Sequence, residues 1–381
     1  MLNNIIMKNI RDIRVVLFDK SAPDNEIAGK LREMRELTFI GYSGEDDLNS
    51  KIINLKSGGC RSKEVLILKE FMGRFFQRCP GSPGVICCNY RVINTCFNCF
   101  YNCAYCFLNS YLNAFGIVQF TNTDNIFKEI DAFLEDADSE IIYRIGSGEF
   151  TDSLMMDEVS GIGKNLIERY CGRPDVMIEL KTKSDNIAHL LQIKNRGNAV
   201  LAWSLGTEKN VSGYETDSAP VGERIKAAGR ACAAGYYLAF HFDPVIIYHG
   251  WEEDYQNLIA ELFAEIDPGK VVWISMGGFR YSPGFKEIIR DKFPDEEMTA
   301  EEMFPGIDGK FRYQKNKRVD IYKRMKGYIN RFTEKPFIYL CMESADVWET
   351  VFGRRYNSSE MLERDFSAHL KKNFPLQGNI T

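Results

Sequence analysis

Short apolar, β-branched runs alternate with helix-length amphipathic stretches along most of the chain. VVLFD (15–19) and LTFIGYS (37–43) read as strands on either side of an amphipathic helix, NEIAGKLREM (25–34), so the first 80 residues form a small β-α-β unit. KEVLILKEFMGRFFQRC (63–79) is too apolar for periodicity to separate strand from helix, and PGSPG (80–84) closes it. From residue 85 the rhythm changes. VICCNYRVI (85–93), EIIYRIG (140–146), VMIELKT (176–182), AVLAWSLG (199–206), YYLAFHFDPV (236–245) and VVWISMG (271–277) read as buried strands. Helical patterns lie between them: LNSYLNAF (108–115), TDNIFKEIDAFLEDA (123–137), SDNIAHLLQIKNRG (184–197), VGERIKAAGRACAAGY (221–236) and YQNLIAELFAEI (255–266). Gly235 is placed to cap the fourth of these.

Near-continuously apolar strands separated by helices predict a parallel sheet covered by helices. A full or partial (β/α) barrel is the first choice and an open doubly wound sheet the alternative; either puts chemistry at the C-terminal strand ends. After residue 285, FKEIIRDKF and VDIYKRMKGYINRF look helical and KPFIYLCM (335–342) like one more buried strand. The expected organisation is an N-terminal α/β unit (1–84), a partial (β/α)6-type barrel (85–285) and a mixed C-terminal α/β extension that closes the barrel (286–381).

Composition narrows the class. The 381 residues are 45% hydrophobic and 27% charged, as in ordinary globular proteins, and the net charge of −5 disfavours a general nucleic-acid coat protein. No run reaches the eighteen apolar residues of a membrane span; the best, YYLAFHFDPVIIY, is interrupted by His241, Asp243 and Pro244. The N-terminus lacks a signal-peptide pattern, so a cytoplasmic protein without membrane contact is expected.

Cysteine is the informative residue. There are eleven, and Cys79, Cys87, Cys88, Cys96, Cys99, Cys103 and Cys106 are crowded together while Cys60, Cys171, Cys232 and Cys341 are scattered. An odd, clustered set without an export signal points to metal rather than disulfides. In CFYNCAYC, Cys99, Cys103 and Cys106 stand at C-x3-C-x2-C spacing, after one predicted strand and before a helix. Three thiolates on one loop hold three irons of a [4Fe-4S] cluster and leave the fourth open to a substrate. A zinc site would want a second paired motif, and none follows. This spacing is the signature of radical S-adenosylmethionine (SAM) enzymes; zinc binding and plain buried thiols are the competing readings.

The chain resembles the spore photoproduct lyase family of radical SAM enzymes over most of its length. The residues that carry the resemblance are CAYCFLNSYLN (103–113), RIGSGEFTDSL (144–154), KTKSDNIAHLL (181–191) and ERIKAAGRACAAGYYLAFHFDPVIIYHGWEEDY (223–255). It implies a partial TIM barrel of the radical SAM kind and a [4Fe-4S] cluster whose open iron chelates SAM. Reductive cleavage of SAM would then give a 5′-deoxyadenosyl radical, with electrons from a flavodoxin- or ferredoxin-type donor. Ser147, Glu149, Thr151 and Asp152 could bond the ribose or amino group of SAM. Lys183 aligns with a family lysine that pairs with the SAM carboxylate, and Ser204 with a family serine at the same site. His241 and Asp243 would face the substrate.

Two departures stand beside these matches. Where the family has a hydrogen-donor cysteine, this chain has Glu149, and a carboxyl O–H is too strong a bond for that role. The family also has a tyrosine on each side of the third cluster cysteine; Tyr105 is kept and the second is Phe107. Cys341 is a candidate substitute donor. Cys79, Cys87, Cys88 and Cys96 are read as packing near the cluster, with a second cluster as the alternative.

The segment KFRYQKNKRVDIYKRMK (310–326) has eight basic residues and one acid, interleaved with Phe311, Tyr313 and Tyr322. Phosphate contact through Lys315, Lys317 and Arg318 with base stacking is the functional reading, a solvated helix face the other. Together these predict a radical SAM lyase or isomerase acting on a nucleobase, such as a thymine-derived DNA lesion, in DNA repair or modification. The alternatives are the same chemistry on a small metabolite or peptide, or a non-catalytic iron–sulfur binding module.

Overall fold

In the computed structural model, residues 10–21, 26–34, 37–111 and 115–376 are described. Seven strands build the central sheet: β1 (Arg91–Ile93), β2 (Tyr143–Ser147), β3 (Val176–Thr182), β4 (Val200–Ser204), β5 (Tyr237–Val245), β6 (Val271–Gly278) and β7 (Phe337–Leu340). They lie side by side in chain order and all pair in parallel. Parallel strands that follow one another in sequence need a crossover each time, and helices supply most of them. Burial is near complete: all eight residues of β6 are buried, and five of the first six in β3.

One further strand, Phe76–Arg78, pairs antiparallel with the free edge of β1. The connection between it and β1 reaches across to the opposite edge. There the Ile86 N–H donates to the Glu343 carbonyl at 2.8 Å, just beyond β7. This bridge brings the first and last strands together and curls the sheet into a partial barrel. The sheet thus takes an edge strand from before residue 85 and its last parallel strand from after residue 285.

The N-terminal β-α-β unit is present as Val15–Asp19, Glu26–Met34 and Thr38–Tyr42, followed by Gly44–Ser57 and Val65–Lys69. Its sheet is completed by Ile117–Phe120 and Cys96–Phe97, which flank the cysteine loop in sequence. The loop is therefore gripped between two sheets. A separate hydrophobic cluster that includes Ile10, Ile13, Leu31 and Leu66 also takes in Cys96, Tyr101 and Cys103.

Two expected elements are shorter than periodicity implied. Of VICCNYRVI only Arg91–Ile93 is strand, because residues 85–90 form the crossing connection and Asn89 adopts φ 56°. SDNIAHLLQIKNRG is helical only over Ala188–Leu191. There the Ser184 Oγ accepts from the Asn186 N–H at 3.0 Å, a local side-chain bond that competes with helix. In LNSYLNAF the helix is Leu108–Tyr111, and residues 112–114 lie outside the described set. The run 63–79 resolves into two strands rather than a helix. Gly235 follows the helix Val221–Ala233 with φ 96°, the left-handed position expected for it. Among the described residues no helix is long and apolar enough to cross a membrane.

The core runs through the middle of β4, where Leu201 is 1% exposed. Leu201→Ala is expected to lower stability by about 2–5 kcal/mol, because the cavity it leaves is held open by its neighbours. Urea denaturation followed by far-UV circular dichroism measures the shift in midpoint.

Candidate active site

The cysteine loop leaves the C-terminal end of β1. Asn98 turns it with φ 73°, a conformation asparagine tolerates, and its side chain is fixed at both ends. The amide donates to the Gly116 carbonyl at 2.9 Å, and the oxygen accepts from the Cys99 N–H at 2.9 Å. Asn102–Cys103 then pairs antiparallel with Glu215–Thr216, with Cys103 opposite Glu215.

Cys99, Cys103 and Cys106 line one cavity of about 330 Å³, together with Lys63, Asn109 and Lys292. Among the described residues no three His, Cys, Asp or Glu side chains are gathered tightly enough to grip an ion, these three included. Burial pushes all three thiols up, Cys99 to about 12. Cations oppose it: Lys63 acts on Cys99 and Cys106, and Lys183 on Cys103. Soft sulfur donors opening on a common cavity, with ammonium groups beside them, fit an anionic iron–sulfur group.

Behind the loop lies a buried network that sequence reasoning missed. The Glu215 carboxylate accepts from the Tyr105 hydroxyl and from Lys183 Nζ at 3.1 Å. Arg224 Nη2 stands 2.7 Å from its second oxygen. Lys183 also reaches the Tyr105 hydroxyl at 3.1 Å. Burial would raise the Glu215 carboxyl, but Arg224 and Lys183 outweigh it and hold the group at about 2. Arg224 further donates to the carbonyls of Ser204 and Ala219 and to Ser218 Oγ.

The candidate SAM contacts gather near the exit of β2. Ser147 ends the strand and is buried, its carbonyl accepting from Ser153 Oγ at 2.6 Å. Asp152 is engaged by its own turn and by the exit of β3: it accepts from the Leu154 N–H, from Thr182 Oγ1 at 2.7 Å and from the Lys183 N–H. Thr151 is buried with its hydroxyl against Met155 Sδ at 3.3 Å. Glu149 differs from these. Its Oε2 is buried without a hydrogen-bond partner, and burial raises the carboxyl while Lys181 and Lys310 partly oppose it.

Inside the barrel the strands present polar groups. His241 Nε2 lies 2.7 Å from Glu179 Oε1, which also accepts from Trp273 Nε1 at 3.0 Å. Asp243 is held by both Arg280 amino groups, at 2.9 and 3.2 Å. Arg280 Nη2 also donates to Cys341 Sγ at 3.4 Å. Burial keeps Cys341 well above the ordinary thiol range, with Asp243 adding to the effect. Cys79 is likewise raised to about 12, first by burial and then by Glu149. Of the cysteines expected near the cluster, Cys96 packs beside the loop in the N-terminal core. Cys79 and Cys88 instead lie within electrostatic reach of Cys341.

The basic strip is tied to neighbouring acids. Lys315 pairs with Asp346, Lys317 with Glu301, and Arg318, 11% exposed, with Glu343 at 2.8 Å. Tyr313 and Tyr322 are buried, and the partly buried Phe311 stacks on Tyr281. Those two tyrosines offer no open stacking face, while Lys315 and Lys317 remain exposed.

E215Q is expected to cost about 3–5 kcal/mol at neutral pH, since it leaves Arg224 and Lys183 buried beside a neutral group. A depressed carboxyl contributes stability above its unfolded pKa and loses it as pH falls toward the folded value. The native protein should therefore weaken between about pH 5 and pH 2 more steeply than E215Q, a difference that denaturation at stepped pH reads directly.

Residues 87–340 match the family model described as spore photoproduct lyase. The spore photoproduct lyase of Bacillus subtilis (strain 168) is 25% identical over 245 residues, 61% of this chain and 71% of that protein. The Clostridium acetobutylicum enzyme is 22% identical over 343 residues, 85% and 97% of the two chains. The fold matches a solved spore photoproduct lyase variant with bound AdoMet and dinucleoside spore photoproduct at TM-score 0.72. That match has 20% identity and covers 86% of this chain and 98% of that one. The chain belongs to the spore photoproduct lyase family of radical SAM enzymes.

Proposed function

We propose that this chain binds a [4Fe-4S] cluster through Cys99, Cys103 and Cys106, binds SAM beside it, and repairs or rearranges a thymine-derived nucleobase lesion. The observation that carries the reading is the one cavity that all three thiols line, between the cysteine loop and the N-terminal unit. When bound, the cluster and SAM supply one-electron cleavage to methionine and a 5′-deoxyadenosyl radical.

The chain's own residues supply position and hydrogen. Lys183, whose ammonium is held by Tyr105 and Glu215, is the proposed partner of the SAM carboxylate. Ser147 and Ser204 end β2 and β4, on either side of β3, and the unpartnered Glu149 oxygen offers an acceptor to ribose, amino group or substrate. Lumen groups His241 and Asp243, each oriented by a partner, face the base. Cys341 keeps its proton in this environment, so it presents an S–H bond rather than a thiolate. Transfer of that hydrogen atom to a carbon radical forms C–H and leaves a thiyl radical on sulfur. It thereby replaces the donor missing at Glu149.

Support for a nucleotide substrate comes from the relatives, whose solved complexes hold dinucleoside spore photoproduct. Anaerobic reconstitution with iron and sulfide, followed by dithionite and SAM, should yield 5′-deoxyadenosine, lost in Cys103→Ala. A fully loaded native protein that makes none sinks the enzyme reading. With dinucleoside spore photoproduct as substrate, Cys341→Ala should still form 5′-deoxyadenosine while repaired product falls at least tenfold. Equal yields from both proteins would remove Cys341 from the reaction.

Because Lys315 and Lys317 sit in exposed ion pairs, each worth little, replacing both by alanine should change affinity for lesion DNA by no more than about twofold. A fluorescence anisotropy titration across a salt series tests this.

A further inference from the structure

Lys63 lies outside the segment that matches the family model and comes from the N-terminal sheet. The turn Ser62–Glu64 leads straight into Val65–Lys69, the central strand of that sheet. The turn is tightly fastened. Arg61 donates to Glu64 through Nε at 3.0 Å and Nη2 at 2.6 Å, and Ser62 Oγ accepts from the Gly116 N–H at 2.9 Å. From this fixed base the Lys63 side chain crosses to the cysteine loop. Its ammonium donates to the Tyr101 carbonyl, and the residue lines the same cavity as Cys99, Cys103 and Cys106.

Placing an ammonium there opposes its hydration. Glu64, the nearest acid in sequence, is occupied by Arg61 and by Arg14 at 3.4 Å. The groups that favour the charged lysine are Cys99, Cys103, Asp217 and Cys106, three of them the loop thiols. The lysine is thus built into a wall facing sulfur, with Asp217 the one carboxylate among the groups that favour its charge and the loop thiols the other three.

We propose that Lys63 is a positioning residue for the cluster, holding the loop by the Tyr101 carbonyl and raising the cluster's reduction potential by its charge. The inference rests on the cluster reading above. Reduction adds an electron to a group held by three thiolates, and a fixed neighbouring cation stabilises the reduced form more than the oxidised one. The N-terminal sheet then has a chemical role, because it delivers the charge that makes electron entry easier.

Lys63→Gln separates charge from contact, since its amide can still donate to the Tyr101 carbonyl. The reconstituted native protein, Lys63→Gln and Lys63→Arg would be titrated potentiometrically, with the reduced cluster read by electron paramagnetic resonance. In Lys63→Gln the reduced-to-oxidised ratio at a fixed potential should fall about tenfold, a lowering of about 59 mV for a one-electron couple. Lys63→Arg should stay within about twofold of native. A Gln variant that loads no cluster while the Arg variant loads fully also supports the need for charge. A loaded Gln variant with native midpoint, or an Arg variant shifted as far as the Gln variant, overturns the proposal. A native protein that assembles no [4Fe-4S] cluster overturns the underlying reading, before any variant is compared.

Discussion

The geometry of the cluster face depends on one buried carboxylate. Glu215 has to sit where Arg224, Lys183 and Tyr105 converge, because none of these polar groups is cheaply left alone away from water. Satisfying them together fixes three separate pieces of chain. Lys183 carries the exit of β3, Arg224 fastens a helix to the exit of β4 through the Ser204 carbonyl, and Tyr105 belongs to the cysteine loop. The short ribbon that pairs Glu215 with Cys103 turns the same residue into a backbone anchor for the middle thiol. Loop, barrel rim and Lys183 are thereby registered by a single node.

That node shows where sequence reading stopped. Strand and helix order was legible because parallel strands buried on both faces leave long apolar runs. VMIELKT and VVWISMG match β3 and β6 to within a residue. The cysteine triad was legible as a group because its three members are local in sequence, and they do line one cavity. Glu215 lies more than a hundred residues from Cys103, in YETDSAP, where nothing in composition separates it from a surface acid. Lys63 is hidden in the same way, on a different sheet. The curl of the barrel rests on one bridge between Ile86 and Glu343, whose partners are distant in sequence and share no pattern.

The basic strip was ambiguous for the opposite reason: a pattern existed and had two causes. Aromatic and basic residues at helical spacing suit a nucleic-acid surface, but also a helix that buries its aromatic face and pairs its charges with neighbouring acids. The pairing acids Asp346, Glu301 and Glu343 are all brought by tertiary structure, so the sequence pattern could not show them. The lumen carries the reverse lesson. His241, Asp243 and Glu179 sit among apolar strand residues because a partial barrel keeps a polar interior, so each finds a partner across the sheet.

The departures from the family pattern make sense as one rearrangement. A carboxyl at Glu149 puts a hydrogen-bonding group where a hydrogen donor is expected, on the β2 side of the mouth. The thiols are gathered where the connection before β1 meets the end of β7 and brings Cys79 and Cys88 toward Cys341, with Glu149 close enough to act on Cys79. Arg280 joins this group to Asp243, so the lumen acid and the buried thiol are oriented by the same guanidinium. Under the proposed reaction, hydrogen returned from Cys341 would reach the substrate from the β7 side. A base bound beside these groups would then meet Glu149 as a recognising group and Cys341 as the proposed hydrogen donor.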